Sequence, residues 1–349
     1  MIAPRFCAVV LSAISLAGQG SPEALIRDGH LKRARAMVEP KFRSNPNDPE
    51  TLWLMSWIRQ DWKDLKAARE YAEKAVAADP RNARYHLRLA EVVGDELESA
   101  GTLRQLGLAK HFKKEIDTTV ALDPRNIEAL KHLVEYYFGS PGFMGGDKTK
   151  GRATVEQIAS LDPAEGYLAQ AIEARLEKQG DRIENLYRKA VEAKPSSYEA
   201  QVLLGNACIP AKKLSEAEAH AREAIRLDPG RAGGHSLLAG ALANQDKWAE
   251  LDTALAASEK SVPDDLQPYF RASNVCLAKG TELPRAERYL RKYLSQEPEP
   301  QMPSRSRAHW RLGLILEKQV RKAEAIAEFE TAAQMDPASP AKEELKKVR

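Results

Sequence analysis

Three cysteines in 349 residues, with aromatics at only 6%, set the first limits on this chain. Cys7 lies in an N-terminal apolar run, which leaves Cys208 and Cys276 for the folded body. A small scaffold stapled by disulfides is excluded. No H-E-x-x-H, C-x-x-C or G-x-S-x-G occurs, and His30, His86, His111, His132, His220, His235 and His309 contain no i, i+4 pair. No contiguous metal or hydrolase motif is written into the chain, and neither metal, cofactor nor enzymatic activity is expected. Charge of one sign is lacking too. The 53 basic and 50 acidic residues are spread along the chain, with no basic block to track a phosphate backbone, so nucleic acid is not an expected partner. β-Branched residues are sparse beside Ala, Leu, Glu, Lys and Arg. That composition disfavours sheets and suits many short amphipathic helices in one extended array.

The apolar run is short. It extends from Phe6 to Leu16 behind a single basic residue, Arg5, with small residues at Ser15 and Ala17. This reads as a secretory signal peptide over residues 1–17, cleaved after Ala17, giving an exported periplasmic or secreted product; a buried first helix is the other reading. The run is too short for a stable bilayer anchor, so the mature chain is not expected to span a membrane.

One stretch invites a nucleotide reading. In GFMGGDKT (142–149), Gly142, Lys148 and Thr149 fit a phosphate-binding loop, but Asp147 stands where the second glycine belongs. A carboxylate there blocks the close approach of backbone N–H groups and repels phosphate. The preceding IEALKHLVEYYF has helical spacing, whereas the motif follows a strand. The nucleotide-dependent alternative predicts saturable binding of ATP with Mg²⁺ near Lys148.

Proline punctuates the chain after acidic or polar residues, at Pro46, Pro80, Pro124, Pro163, Pro195, Pro229, Pro263, Pro298 and Pro337. The intervals of 34, 44, 39, 32, 34, 34, 35 and 39 residues cluster on 34. The stretch from Tyr198 to Pro229, with Leu204, Gly205, Ala217, Ala221, Ala224 and Pro229 at signature positions, resembles the tetratricopeptide repeat family, as does Ser306 to Pro337 with Leu312, Gly313, Ala325, Phe329, Ala332 and Pro337. The resemblance implies an all-α fold, a right-handed superhelical solenoid of antiparallel helix pairs. About nine units fill residues 18–337, ending near 46, 80, 124, 163, 195, 229, 263, 298 and 337, and residues 338–349 form a C-terminal capping helix. Within this register Pro40 is expected to kink or end a helix. Pro141 to Gly145 lengthen one turn, Asp147 caps the following helix as Asp181 does one unit later, and residues 94–107 carry an insertion that could join that turn in a ridge. Cys208 and Cys276 become small core residues beyond disulfide reach.

The resemblance also implies that first helices line a concave groove, with Trp53, Trp57, Arg84, Glu91, Lys131, Glu135, Gln170, Asn206, Phe270, Asn274, Arg307 and Trp310 on that face. Packing within the array competes with binding as the role of Trp53, Phe270 and Trp310. The family's clamp for a C-terminal carboxylate is incomplete: Asn206 matches, but Val202 and Leu237 replace the required lysine and asparagine, so chaperone tails are not the expected partner. The expected function is a non-enzymatic scaffold or adaptor that binds a protein or peptide segment in the groove, with Phe143, Met144 and Lys148 of the lengthened turn as further contacts. Residues 145–153, GGDKTKGRA, also resemble a pattern in helical periplasmic proteins associated with tripartite ATP-independent transporters. That implies a small apolar ligand in an enclosed cavity. A closed apolar cavity would favour the transport reading, and an open groove with exposed Trp53 and Trp57 would favour protein binding.

Overall fold

The computed structural model describes residues 20–348, except the side chains of Thr102 and Leu103. The signal peptide expected over 1–17 lies outside the described residues. Among those residues there are nineteen α-helices and no strand. Eighteen form nine successive pairs: Pro22–Arg27 (α1) with Leu31–Ser44 (α2), Pro49–Asp61 (α3) with Leu65–Ala78 (α4), Ala83–Ser99 (α5) with Thr102–Leu122 (α6), Ile127–Gly139 (α7) with Lys148–Leu161 (α8), Pro163–Leu176 (α9) with Ile183–Ala193 (α10), Tyr198–Cys208 (α11) with Leu214–Leu227 (α12), Ala232–Asn244 (α13) with Trp248–Ser261 (α14), Gln267–Lys279 (α15) with Leu283–Tyr293 (α16), and Arg305–Lys318 (α17) with Lys322–Met335 (α18). Ala341–Val348 (α19) packs on α18 and closes the array. The chain is an all-α helical-repeat solenoid.

Local chemistry explains the units. Asp48, Asp64, Asn82, Asn126, Ser197 and Ser304 cap first or second helices by accepting backbone N–H bonds. Second helices present small residues inward: Ala68, Ala72 and Ala75 on α4, and Ala217, Ala221 and Ala224 on α12, are fully buried. Close approach is obligatory at Gly205, where a Cβ would stand 2.4 Å from Leu237 Cδ2. Inside eight of the nine pairs the chain reverses through a residue in the left-handed region: Gly29, Lys63, Gly145, Lys178, Lys212, Asp246, Gly280 and Val320, with φ between 57° and 99°. The third unit lacks this turn. Its insertion instead lengthens α5 and α6 to 17 and 21 residues.

Three local expectations are corrected. α2 runs through Pro40 without ending. Ala36, whose carbonyl loses its helical donor to Pro40, and Pro40 itself are exposed, so the helix loses this bond on its solvent face and not in the core. Pro163 opens α9 as its first residue rather than following a helix stop, because Asp162 both ends α8 and caps α9. Asp147 caps α8 through Thr149 N and Lys150 N, but Asp181 sits inside a 3-10 turn and caps nothing.

The superhelix meets itself. His30, entering α2, reaches the seventh and eighth units: Nδ1 lies 2.9 Å from Asp264 Oδ2 and Nε2 lies 2.7 Å from Gly230 O. Lys32 Nζ donates to Glu297 O at 2.5 Å, and its backbone N–H donates to buried Glu299 at 3.1 Å. Gln301 donates to Asp61 at 2.6 Å. The segment 294–304, between α16 and α17, is thus held against α2 and α3, and the first helices face a space enclosed by one turn of the array.

Candidate binding groove

The concave wall begins with a tryptophan pair on α3. Trp53 and Trp57 meet edge to face with centroids 5.6 Å apart. Both are covered by arginines from α5: Arg84 stacks over Trp53 at 4.0 Å and Arg88 over Trp57 at 5.1 Å. Trp53 is only 5% exposed and Trp57 is half-buried. Neither offers the open aromatic surface that the sequence suggests. Arg84 also bridges Glu23 at 2.9 Å and Glu50 at 3.2 Å, while Arg88 donates to Gln60 and pairs with Glu91 at 2.6 Å.

A cavity of about 570 Å³ follows between α3, α5 and α7, lined by Trp57, Asp61, Arg88, Glu91, Glu128 and His132 among others. His132 lies 3.5 Å from both Glu91 and Glu135. Burial opposes its charge, yet hydrogen bonding to the two carboxylates raises its pKa to about 10, so it is an imidazolium at neutral pH. Burial would raise Glu91, but Arg88 and His132 hold it below its ordinary range. Ligand atoms of Glu91, Glu128 and His132 lie within 4.8 Å of one another, a grouping that could hold a metal ion. Arg88 and the charged His132 already supply the cations there. Motif reading missed this cluster because Glu91 comes from the preceding unit, and the i, i+4 pair Glu128 and His132 on α7 is not by itself a metal motif.

A second cavity, about 440 Å³, continues the groove between α7, α9 and α11 and shares Glu128, His132 and Glu135 with the first. Lys131 pairs with Glu165 at 2.7 Å and approaches Glu199 at 3.8 Å, and Arg175 pairs with Glu135 at 3.0 Å. Burial, reinforced by Glu165 and Glu128, raises Glu199 above its usual range despite Lys131. Further along, Asn206 accepts from Arg271 at 2.7 Å, across an intervening first helix. Phe270 is only 5% exposed and packs on Tyr293, so it too is covered. Asn274 and Trp310 are half-buried and Arg307 is exposed. These residues are distributed from α3 to α17, and the structure does not gather them at one point.

The lengthened turn adjoins the first cavity, which Tyr136, Gly139 and Ser140 also line. Gly142–Met144 forms a 3-10 turn, Phe143 is 84% exposed, and Met144 packs partly on the core while its carbonyl accepts from Tyr136. Phe112 of the elongated α6 stacks on the same Tyr136, with centroids 6.0 Å apart. The two insertions are thus joined through one aromatic ring. Lys148 pairs with Glu177 at 2.8 Å, and the element before the turn is helix α7, which removes the strand and the free lysine that a phosphate loop needs. Cys208 and Cys276 are buried and unpaired.

No helix among the described residues is long and apolar enough to cross a membrane. A search of curated proteins found no match. The chain is similar in structure to yeast Tom70 (13% identity, 94% of this chain and 86% of that one, TM-score 0.47). It is similar also to the human IFIT1 dimer with m7Gppp-AAAA (15% identity, 93% and 78%, TM-score 0.47) and to PilW, a widely conserved type IV pilus biogenesis factor (19% identity, 65% and 98%, TM-score 0.46). Family models of the tetratricopeptide repeat match residues 49–82, 184–232 and 277–340. With the helix pairs and turns described above, these segments are tetratricopeptide repeats, a module of protein-interaction scaffolds.

Proposed function

We propose that this protein is an exported, non-enzymatic scaffold whose concave groove holds a polypeptide segment. The observation that carries the reading is the continuity of two cavities of mixed polar and apolar lining, sharing Glu128, His132 and Glu135, across five first helices. A site that long, lined at each step by hydrogen-bonding side chains from a new helix, suits a chain with a repeating backbone better than a compact ligand. Export rests on the N-terminal pattern alone. A reporter active only outside the cytoplasm, fused after Gly20, tests it.

A photo-crosslinking residue at Glu135 or Arg175, compared with one at exposed Arg125 outside the cavities, tests the groove in the native host. Crosslinks to a single peptide region from Glu135 and Arg175 alone support the reading. Equal labelling at all three positions, or none, refutes it.

One apolar feature bears on the small-ligand reading, and it is an open groove, not the enclosed cavity that reading calls for. A groove of about 670 Å³ between α12, α13 and α14 is walled largely by apolar surface from Ile225, Leu238, Ala249, Ala254 and Ala257. It lies away from the Gly142–Gly146 turn that prompted that reading. Native mass spectrometry of the protein from its own host separates the two, by a bound polypeptide or a bound small apolar molecule.

A further inference from the structure

Glu128 and His132 stand one turn apart on α7, so their side chains share a helix face, and Glu91 of α5 meets them from the preceding unit. One ligand atom from each lies within 4.8 Å of the other two. The pairings around the histidine show how it is aimed. Nδ1 lies 3.5 Å from Glu135 Oε2, and Nε2 lies 3.5 Å from Glu91 Oε1, too long and poorly aligned to count as a hydrogen bond, so Nε2 is buried without a partner. The other oxygen of Glu91, Oε2, is held by Arg88 at 2.6 Å. Glu128 is exposed, and its neighbour Lys131 pairs with Glu165 instead, which leaves Glu128 no ion pair among the described residues.

A metal-binding histidine has this arrangement: one ring nitrogen is steadied by a carboxylate and the other turns toward ligand oxygens. Around a tetrahedral ion with bonds of about 2.0–2.2 Å, ligand atoms stand about 3.4 Å apart. No pair here has to close by more than about 1.4 Å to reach that separation, within the range of side-chain rotation. The way in is the cavity of about 570 Å³ that all three residues line, and the side chains of Glu91 and His132 are each 21% exposed. Asp61, Asp95, Glu98 and Glu135 line it as well, facing only Arg88 and His132 as cations. Lys63 and Arg175 answer Asp95 and Glu135 from outside. Negative charge remains in excess and draws a cation in.

We propose that Glu91, Glu128 and His132 form a site for one divalent transition-metal ion of the Zn²⁺ kind. The imidazole selects against Mg²⁺ and Ca²⁺, which take oxygen donors. Binding exchanges the proton that His132 carries in the metal-free chain for the ion, and that proton leaves to solvent. Three protein ligands leave the fourth tetrahedral position open to the cavity, for water or for a donor atom of whatever the groove holds. The ion also ties α5 to α7 and so joins two units. The assignment stands independently of the polypeptide-groove reading.

Isothermal titration calorimetry of the tag-free full chain with Zn²⁺, and separately with Mg²⁺, tests this. One Zn²⁺ should bind per chain, with Mg²⁺ weaker by at least about tenfold. H132Q and E128Q should each weaken Zn²⁺ binding by roughly tenfold or more. H309Q, at a histidine paired with Glu328 on the last unit, should leave it unchanged. Circular dichroism checks that each variant folds. X-ray absorption of the zinc-loaded wild type needs no variant and should show one imidazole with oxygen ligands at about 2.0–2.2 Å. Absence of stoichiometric Zn²⁺ binding, unchanged affinity in folded H132Q, equal affinity for Mg²⁺, or sulfur bound to the zinc overturns the assignment.

Discussion

The contact that closes the superhelix should weaken as pH rises, and His30 is the reason. Both acceptors around its ring, Asp264 Oδ2 at 2.9 Å and Gly230 O at 2.7 Å, require a donor, so the closed form needs the doubly protonated imidazolium. The hydrogen bond that His30 donates to Asp264 raises the His30 pKa, against burial. A raised histidine pKa contributes stability that is complete below the unfolded value near 6.5 and is lost as pH climbs through the folded value. Glu299, raised by burial to about 7 despite Lys32, acts in the same sense, since its neutral form is the one the closed contact favours. Asp265 is likewise raised by burial. Asp264 is lowered through His30 in spite of burial, and its contribution is lost only in acid. Arg33, 3.8 Å from Asp264, preserves part of the contact. His30 is 4% exposed, so replacing it with glutamine removes a desolvated charge-assisted bond worth about 1.5–3 kcal/mol of closure. Spin labels on A36C and K260C, both at exposed positions, would report the distance across the contact by double electron–electron resonance. The short-distance population should be largest near about pH 5.5 and shrink toward about pH 9. H30Q should show a reduced population at the lower pH and a shallower profile, the remaining slope coming from Glu299. A wild-type profile that is flat, or that H30Q leaves unchanged, refutes the reasoning.

Two further predictions concern local backbone chemistry. Val320 is β-branched, 88% exposed and at φ 62°; relief of about 1–2 kcal/mol of left-handed strain, less about 0.5–1 for glycine entropy, should let V320G stabilise the last unit by roughly 0.5–1 kcal/mol. Slower hydrogen exchange in α17 and α18, by about twofold to fivefold, would register this, whereas faster exchange would contradict it. D147A removes the cap from α8 and should destabilise the fourth unit by about 0.5–2 kcal/mol, seen as faster exchange at the start of α8 with α17 unchanged.

The repeat was legible because its determinants are local: small residues where helices touch, and an acidic or polar residue before proline where they end. The turns inside the pairs were less so. Lys63, Lys178, Lys212, Asp246 and Val320 adopt left-handed geometry that their residue types do not advertise, and the packed helices on either side impose it. The same dipeptide, Gly-Asp, misled at Asp181 because capping depends on where the helix begins, and α10 begins two residues later. Tryptophan exposure was illegible at Trp53 and Trp57 because Arg84 and Arg88, one unit away, cover the rings. Closure lay further still from the sequence. His30 and Asp264 are 234 residues apart, and they meet only because small rotations between successive units sum to a full turn.

That summation couples the groove to the closing contact. Arg84 with Glu50, His132 with Glu91, and Arg175 with Glu135 each join first helices of neighbouring units, so each helps fix the rotation between one unit and the next. An occupant that takes over one side of such a pair would change that rotation slightly, and over the seven units between them a small change would move His30 relative to Asp264 by the accumulated amount. Occupancy of the groove and closure of the superhelix are then linked equilibria, and the linkage is reciprocal: whatever opens the His30 contact must change the affinity of the groove by the same factor by which occupancy changes the opening.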